Sequence, residues 1–365
     1  EIVRSLVGSE MCIRDRLASA LEKIGIKSGD VVATVLPNIP AQAEAHFGVP
    51  ACGAVLNTIN TRLDLNTITY IFEHGGAKLV FADTQFLSVV EDAIAKLEGP
   101  RPTLIEVPDE FAGFPATGKY ETYESFLKTG NVHFDWIMPQ DEWESLALNY
   151  TSGTTGKPKG VVYHHRGAYL MTMGTIVSWR MTLNPVFMAI VPLFHCNGWN
   201  HTWMMPVLGG SLVCCRDITS QAIYDAIADE GVQYFGGAPI VLNMIVNTND
   251  TERREFDHTV EVFTAGAPPA PATLLKIEKL GFNVTQVYGL TETYGHVTEC
   301  YWENQKWSEL EGEQRAAIKA RQGVAFPMME HITVMDQSMS EVPKDGKTQG
   351  EILSLIHISE PTRLR

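Results

Sequence analysis

The chain has 365 residues, 45% of them hydrophobic and 19% charged, which suits two or three packed units and argues against disorder. With 28 Lys and Arg against 43 Asp and Glu the formal charge is −15, so nucleic acid and anionic membrane are disfavoured as non-specific partners by simple repulsion. No run of 18 apolar residues offers an integral membrane segment, no apolar signal core opens the chain, and six cysteines without disulfide-scaffold or CxxC spacing read as reduced thiols in a cytoplasm.

Along the chain, helix and strand patterns alternate. LASALEKIGI (17–26) has helical periodicity, VVATVLP (31–37) is a short apolar strand, and 39–55 is a mostly apolar helix. Residues 56–83 read as loop, helix, turn and strand, and FLSVVEDAIAKL (86–97) as an amphipathic helix. Residues 98–145, rich in Pro, Gly and acids, read as surface connections. A second run starts near FMAIVPLFH (187–195) and repeats strand and helix up to NVTQVYG (283–289). Short alternating stretches such as HITVMD (331–336) suggest an antiparallel region. The expected class is α/β: two layered subdomains with largely parallel sheets, then the start of a β-rich, barrel-like unit.

The most informative string is TSGTTGKPKG (151–160). Glycine lets backbone N–H groups approach an anion, hydroxyls add donors or metal ligands, and lysines bring positive charge to an acidic protein. Such a loop suits a triphosphate. It is not a Walker A loop, because Gly156-Lys157 is followed by Pro158 and Thr151 stands where the first glycine is needed. Two further strings follow in order: Thr264-Ala-Gly-Ala-Pro268, and Gln286-Val-Tyr-Gly-Leu-Thr-Glu-Thr293 at the end of an apolar strand, where α/β sheets collect ligands.

Together the three strings resemble the motifs of the adenylate-forming (AMP-binding) superfamily, over roughly Leu17 to Ile352. The resemblance implies the N-terminal domain fold of that superfamily. It also implies an ATP site made of Thr151, Ser152, Gly153, Thr154, Thr155, Gly156, Lys157, Lys159, Gly266, Ala267, Pro268, Gln286, Val287, Tyr288, Gly289 and Thr291. Tyr288 would stack on adenine, Thr291 would contact phosphate, and Glu292 with Thr151 would hold Mg²⁺, a hard cation suited to oxygen ligands. His195-Cys-Asn-Gly-Trp199 resembles the acyl-CoA synthetase branch. There His195 lies beside the acyl carboxylate and Trp199 gates an acyl pocket that Cys196, Gly236, Gly237 and Gly266 also line. Cys196 is not read as a nucleophile, since the chemistry needs no thiol of the protein. His164 and His165 are read as helix-capping residues, and Gln322 as near the nucleotide.

The implied catalytic residues are His195, Thr291 and Glu292. The implied reaction joins a short- or medium-chain acid, or a relative such as 3-methylmercaptopropionate, to coenzyme A through acyl-AMP, using ATP. A nucleotide- or acyl-binding protein without turnover is the alternative, as is an adenylation enzyme of another subfamily. The pocket segment FGGAP lacks the Asp that would hold an amino acid's ammonium. A homodimer is one expectation, because relatives are often dimers. Residues 1–16 and 353–365 depart from the family pattern and read as non-native ends. Between them, 17–186 is expected to carry the phosphate loop, 187–318 the acyl pocket and nucleotide motif, and 319–352 the start of the β-rich unit. The family's mobile C-terminal domain, with its ribose-binding Asp and catalytic Lys, is expected to be missing.

Overall fold

Alternation of short apolar runs with amphipathic ones produces two separate sheets, each faced by helices. The structure, a computed structural model, describes residues 2–3, 9–151, 156–329 and 332–354. A two-residue strand β1 (Ile2–Val3) is followed by helix α1 (Ser9–Lys23), which runs through the expected boundary at Leu17 without a break. Then come β2 (Val31–Val35), α2 (Pro40–Ala51), β3 (Val55–Thr58), α3 (Leu65–Gly75), β4 (Ala77–Asp83), α4 (Leu87–Ala95), β5 (Thr103–Val107), α5 (Tyr123–Thr129), β6 (Ser145–Thr151) and β7 (Lys159–His164). Six of these strands form a sheet in the order β5-β4-β2-β3-β6-β7. All its pairs are parallel except the β6–β7 hairpin.

Local chemistry sets the element ends. Asp64 caps α3 by accepting hydrogen bonds from the backbone of Asn66 and Thr67, and Gly76 closes that helix in the left-handed conformation. Two segments differ from expectation. Residues 55–58 form a buried strand rather than a loop, because the polar side chain of Asn57 is satisfied inside the sheet by donating to the Leu148 carbonyl at 2.8 Å. Residues 98–145 hold β5 and the helix α5, whose Tyr123, Phe126 and Leu127 are buried in the first core. These elements were hidden by their shortness and polar flanks.

The second half contains α6 (His165–Ser178), β8 (Val186–Ala189), α7 (Cys196–Trp199), α8 (His201–Leu208), β9 (Ser211–Cys214), α9 (Ser220–Glu230), β10 (Tyr234–Gly237) and α10 (Pro239–Val246). It continues with β11 (Val260–Thr264), α11 (Pro271–Glu278), β12 (Phe282–Leu290), β13 (Gly295–Glu299), α12 (Asn304–Trp307), α13 (Gly312–Lys319) and β14 (Val324–Ala325). The second sheet has the order β1-β9-β8-β10-β11-β12-β13-β14. Its centre, β9 to β12, is parallel and its margins are antiparallel. A separate antiparallel pair, β15 (Ile332–Met335) with β16 (Glu351–Ser354), agrees with the alternating pattern read there.

Each sheet has apolar clusters on both faces, as a mostly parallel sheet requires. Helix α6 carries the chain from one layer to the other: Ala168 sits in the first core, and Ile176 packs on the second. The layers are also tied by polar contacts. The Asn38 amide donates to the carbonyls of Ala189 and Val191 and accepts from Leu193 N–H. Arg216 makes a two-pronged bond to buried Asp83, 2.8 Å on each prong. Among the described residues no helix is long and apolar enough to cross a membrane.

Candidate active site

The carboxyl ends of β6, β8, β11 and β12 come together at the junction of the two layers. The β6–β7 hairpin brings the phosphate-loop string to this place. Thr151 ends β6 and Lys159 starts β7. Gly156 is exposed with φ at +122°, a conformation that favours glycine, and the Lys157 ammonium lies 5.2 Å from the ring centre of Tyr70. Ser152, Gly153, Thr154 and Thr155 lie outside the described residues.

β12 ends in a 3-10 turn, Thr291–Thr293, and the chain returns as β13. The Thr293 hydroxyl accepts from Leu290 N–H at 3.0 Å and locks the turn. A side chain at Gly289 would place its Cβ 1.9 Å from the Gly295 carbonyl oxygen, so glycine is required for the hairpin to close. Tyr163 donates to the Thr291 carbonyl at 2.8 Å and stacks on Tyr294 with ring centres 4.2 Å apart. Tyr294 in turn accepts from His164 N–H. Neither tyrosine was identified from the sequence, where nothing marks an aromatic pair 131 residues apart (294 − 163).

The segment after β8 departs from expectation. The strand ends at Ala189 rather than running to Phe194, because Pro192 interrupts the ladder and Asn38 takes the Leu193 N–H. His195 therefore stands six residues beyond the strand. The next five residues, Cys196 to Asn200, all have positive φ between 41° and 62°. A run of left-handed residues costs on the order of 1–2 kcal/mol for each that is not glycine. Specific bonds hold it. Asn149 donates to Asn197 Oδ1 at 2.6 Å, Asn197 faces His46 Nε2 at 3.4 Å, Asn200 donates to the Tyr294 carbonyl, and the Cys196 thiol touches the Thr291 hydroxyl at 3.2 Å. His46 Nδ1 lies 2.7 Å from the Gln42 carbonyl, which can only accept, so Nδ1 carries the proton and Nε2 accepts from Asn197. Burial pushes the His46 imidazole down to about 4. His46 and Asn149 carry no sequence signal, and Asn197 none beyond its place within the HCNGW string.

Two cavities meet here. One, of about 280 Å³, is lined by Asn149, Tyr150, Thr151, His195, Cys196 and Thr291, among others. The second, of about 90 Å³ and mostly apolar, is lined by Trp199, Ala265, Val287, Gly289 and His296 and again by His195, Cys196 and Thr291. Gly266, exposed with φ at +90°, also borders it. Burial lowers the affinity of His195 for protons, so its ring is neutral at neutral pH, and burial raises that of the Cys196 thiol.

Thus His195, Cys196, Trp199, Gly266, Val287, Gly289, Thr291 and Thr151 converge. Other expected residues are placed differently. Gly236 and Gly237 are buried in β10 and line neither cavity, although a Cβ on Gly236 would lie 3.3 Å from the Trp199 ring. Ala267 and Pro268 are exposed on the loop after β11. Gln286 is buried, and its amide donates to Gln322 Oε1 at 3.3 Å rather than lining either cavity. Tyr288 and Glu292 border neither cavity, and Lys159 is exposed. His164 caps α6 by accepting from Gly167 N–H at 2.9 Å, as expected.

The profile of the family described as AMP-binding enzyme matches residues 12–356. An acetate/butyrate–CoA ligase, peroxisomal, of Arabidopsis thaliana is 44% identical over 352 residues, covering 93% of this chain. A 2-methylpropanoate–CoA ligase of Humulus lupulus is 41% identical over 344 residues, covering 92% of this chain. The chain spans 62% and 61% of the lengths of these two relatives. In fold it is similar to the N-terminal domain of FACL13 from Mycobacterium tuberculosis, with a TM-score of 0.74 at 21% identity, over 92% of this chain and 79% of that one.

Proposed function

Starting from the premise that this chain belongs to the AMP-binding enzyme family, we propose that the protein is an ATP-dependent acyl-CoA ligase for a short aliphatic or related carboxylic acid. The observation that carries this reading is the pair of cavities sharing His195, Cys196 and Thr291, one small and apolar, the other bordering the phosphate-loop hairpin. An acyl tail in the first would present its carboxylate at the shared wall, facing nucleotide in the second. The names of the two relatives, ligases for acetate, butyrate and 2-methylpropanoate, support a short acid.

In the first half-reaction a carboxylate oxygen attacks the α-phosphorus of ATP, and pyrophosphate leaves with the electron pair of the broken P–O bond. In the second, the coenzyme A thiolate attacks the acyl carbon and AMP leaves. A neutral His195 can donate one ring N–H to the acyl oxygen without carrying charge into an apolar pocket. Thr291 adds a hydroxyl. Holding carboxylate and phosphate in line is the main contribution of such a site, followed by donors aimed at the developing charge. Cys196, kept as a thiol by burial and touching Thr291, supports the loop rather than the chemistry.

The donor set fits Mg²⁺. Glu292 and Thr151 offer oxygen only, and the Glu292 carboxylate has no hydrogen-bond or ion-pair partner among the described residues. No group of three His, Cys, Asp or Glu there could hold a metal alone, so phosphate oxygens would complete the coordination. Bound there, the cation would offset phosphate charge. A cytoplasmic setting and a homodimer belong to this reading as well, and sedimentation of the purified protein tests the latter.

The decisive measurement is acid-dependent ATP–pyrophosphate exchange and thioester formation by the full-length protein, over acids from C2 to C12 with methylthio and cinnamic acids. Exchange with short acids is expected. ATP binding with no exchange for any acid would instead establish the binding-protein alternative. Glu292→Ala should lower Mg²⁺-dependent exchange by on the order of 10²–10³.

A further inference from the structure

Alternate residues on one face of three neighbouring strands form a continuous track. On β10 they are Tyr234 and Gly236; on β11 Glu261 and Phe263, followed by Ala265; on β12 Asn283, Thr285, Val287 and Gly289. The carboxyl-terminal members Ala265, Val287 and Gly289 line the 90 Å³ cavity of the candidate site. The amino-terminal members Tyr234, Glu261, Phe263, Asn283 and Thr285 line a second cavity of about 410 Å³, and no residue lines both. Phe263 stands between Glu261 and Ala265 on this face, and Trp179, just past α6, stacks on it with ring centres 3.6 Å apart and planes 6° from parallel. His201 and Phe187 back the indole, with His201 5.6 Å from Trp179 and 4.7 Å from Phe187. His296 and Phe326 back Phe263 from the other side, in centre-to-centre steps of 5.3 and 4.3 Å. All six rings are buried.

We propose that the Trp179–Phe263 stack is the end wall of the acyl pocket and sets the length of acid accepted. The proposal rests on the ligase reading above. A cavity of about 150 Å³ takes a benzene-sized ligand, so 90 Å³ holds only a few carbons beyond the carboxylate. The wall is supported on both sides by buried rings, so it cannot yield without displacing close-packed neighbours. The space behind it is a second barrier of a different kind. It is bordered by Glu261, Asn283, Glu299 and Arg315, and Glu299 Oε2 already lacks a hydrogen-bond partner. An alkyl end reaching there would take water from carboxylates, which is unfavourable. The wall excludes by shape, and the polar chamber excludes by desolvation.

The test is titration calorimetry with non-hydrolysable alkanoyl-sulfamoyl-adenosines from acetyl to decanoyl, using the full-length protein. Affinity should rise about fourfold per added methylene up to about butyryl and then fall. Trp179→Ala, and the milder Phe263→Leu, should move the fall at least two carbons further, raising the hexanoyl-to-acetyl affinity ratio by on the order of tenfold. Continued rise to octanoyl or beyond in the unmutated protein overturns the proposal without any variant having to fold. Folded variants with an unchanged length profile overturn it too. If no analogue of any length binds, it is the ligase reading that fails.

Discussion

The imidazoles of His46, His201 and His296 are fully enclosed, and burial pushes them down to about 4, 3 and 3. An unfolded histidine titrates near 6.5. Between about pH 6.5 and 4 the unfolded chain therefore binds up to three protons that the folded chain refuses. The stability these residues contribute is complete above pH 6.5 and is lost as pH falls. Denaturant midpoints measured from pH 7.5 down to 4.5 should decline, and His46→Gln should flatten that slope by about one proton. At the same scale, Asn197→Ala would leave Asn149 Nδ2 without an acceptor and His46 Nε2 without a donor, costing about 1–3 kcal/mol in urea unfolding and lowering exchange activity as the His195 segment loosens. The HCNGW string was legible as a candidate site. Its left-handed path was not, because local preference disfavours such a run and contacts from distant His46, Asn149, Thr291 and Tyr294 enforce it.

At the scale of elements, the β12–β13 hairpin decides whether Thr291 reaches the junction at all. Gly289→Ala should disrupt its closure, since the added carbon meets the Gly295 carbonyl rather than a movable side chain. Loss of nucleotide binding with a lowered melting temperature is the expected result. The strands of this region were readable because short runs rich in β-branched and aromatic residues, such as VTQVYG, are bounded by turn residues. β3 was not, since Asn57 and Thr58 look like loop residues until their partners in and beside β6, the Leu148 carbonyl and the Asn149 side chain, are known. Gln286 and Gln322, both expected near the nucleotide, meet each other, a pairing that their motifs did not show.

Across the whole molecule, the two layers share apolar packing, with Ala43 of α2 in a cluster of the second layer and Tyr294 packed on the first, and polar contacts pin them further. Asp83 is fully enclosed and meets Arg216 from the other layer, which also reaches Asp109. Arg216→Ala would strand a buried carboxylate, and a loss of about 3–5 kcal/mol is expected, readable by calorimetry as a lowered melting transition or as two separate ones. The division into two α/β layers was legible from the alternation of patterns. Its boundary was not, because a single helix, α6, belongs to both cores.

On the ligase reading proposed above, His195, Cys196 and Thr291 form a partition between two cavities, with acid on one side and nucleotide on the other. Whatever an acid does to the position of that partition, a nucleotide must feel. The two ligands are thereby each other's effector, and thermodynamics requires the influence to be reciprocal: a nucleotide that tightens acid binding by some factor is itself tightened by the acid by the same factor.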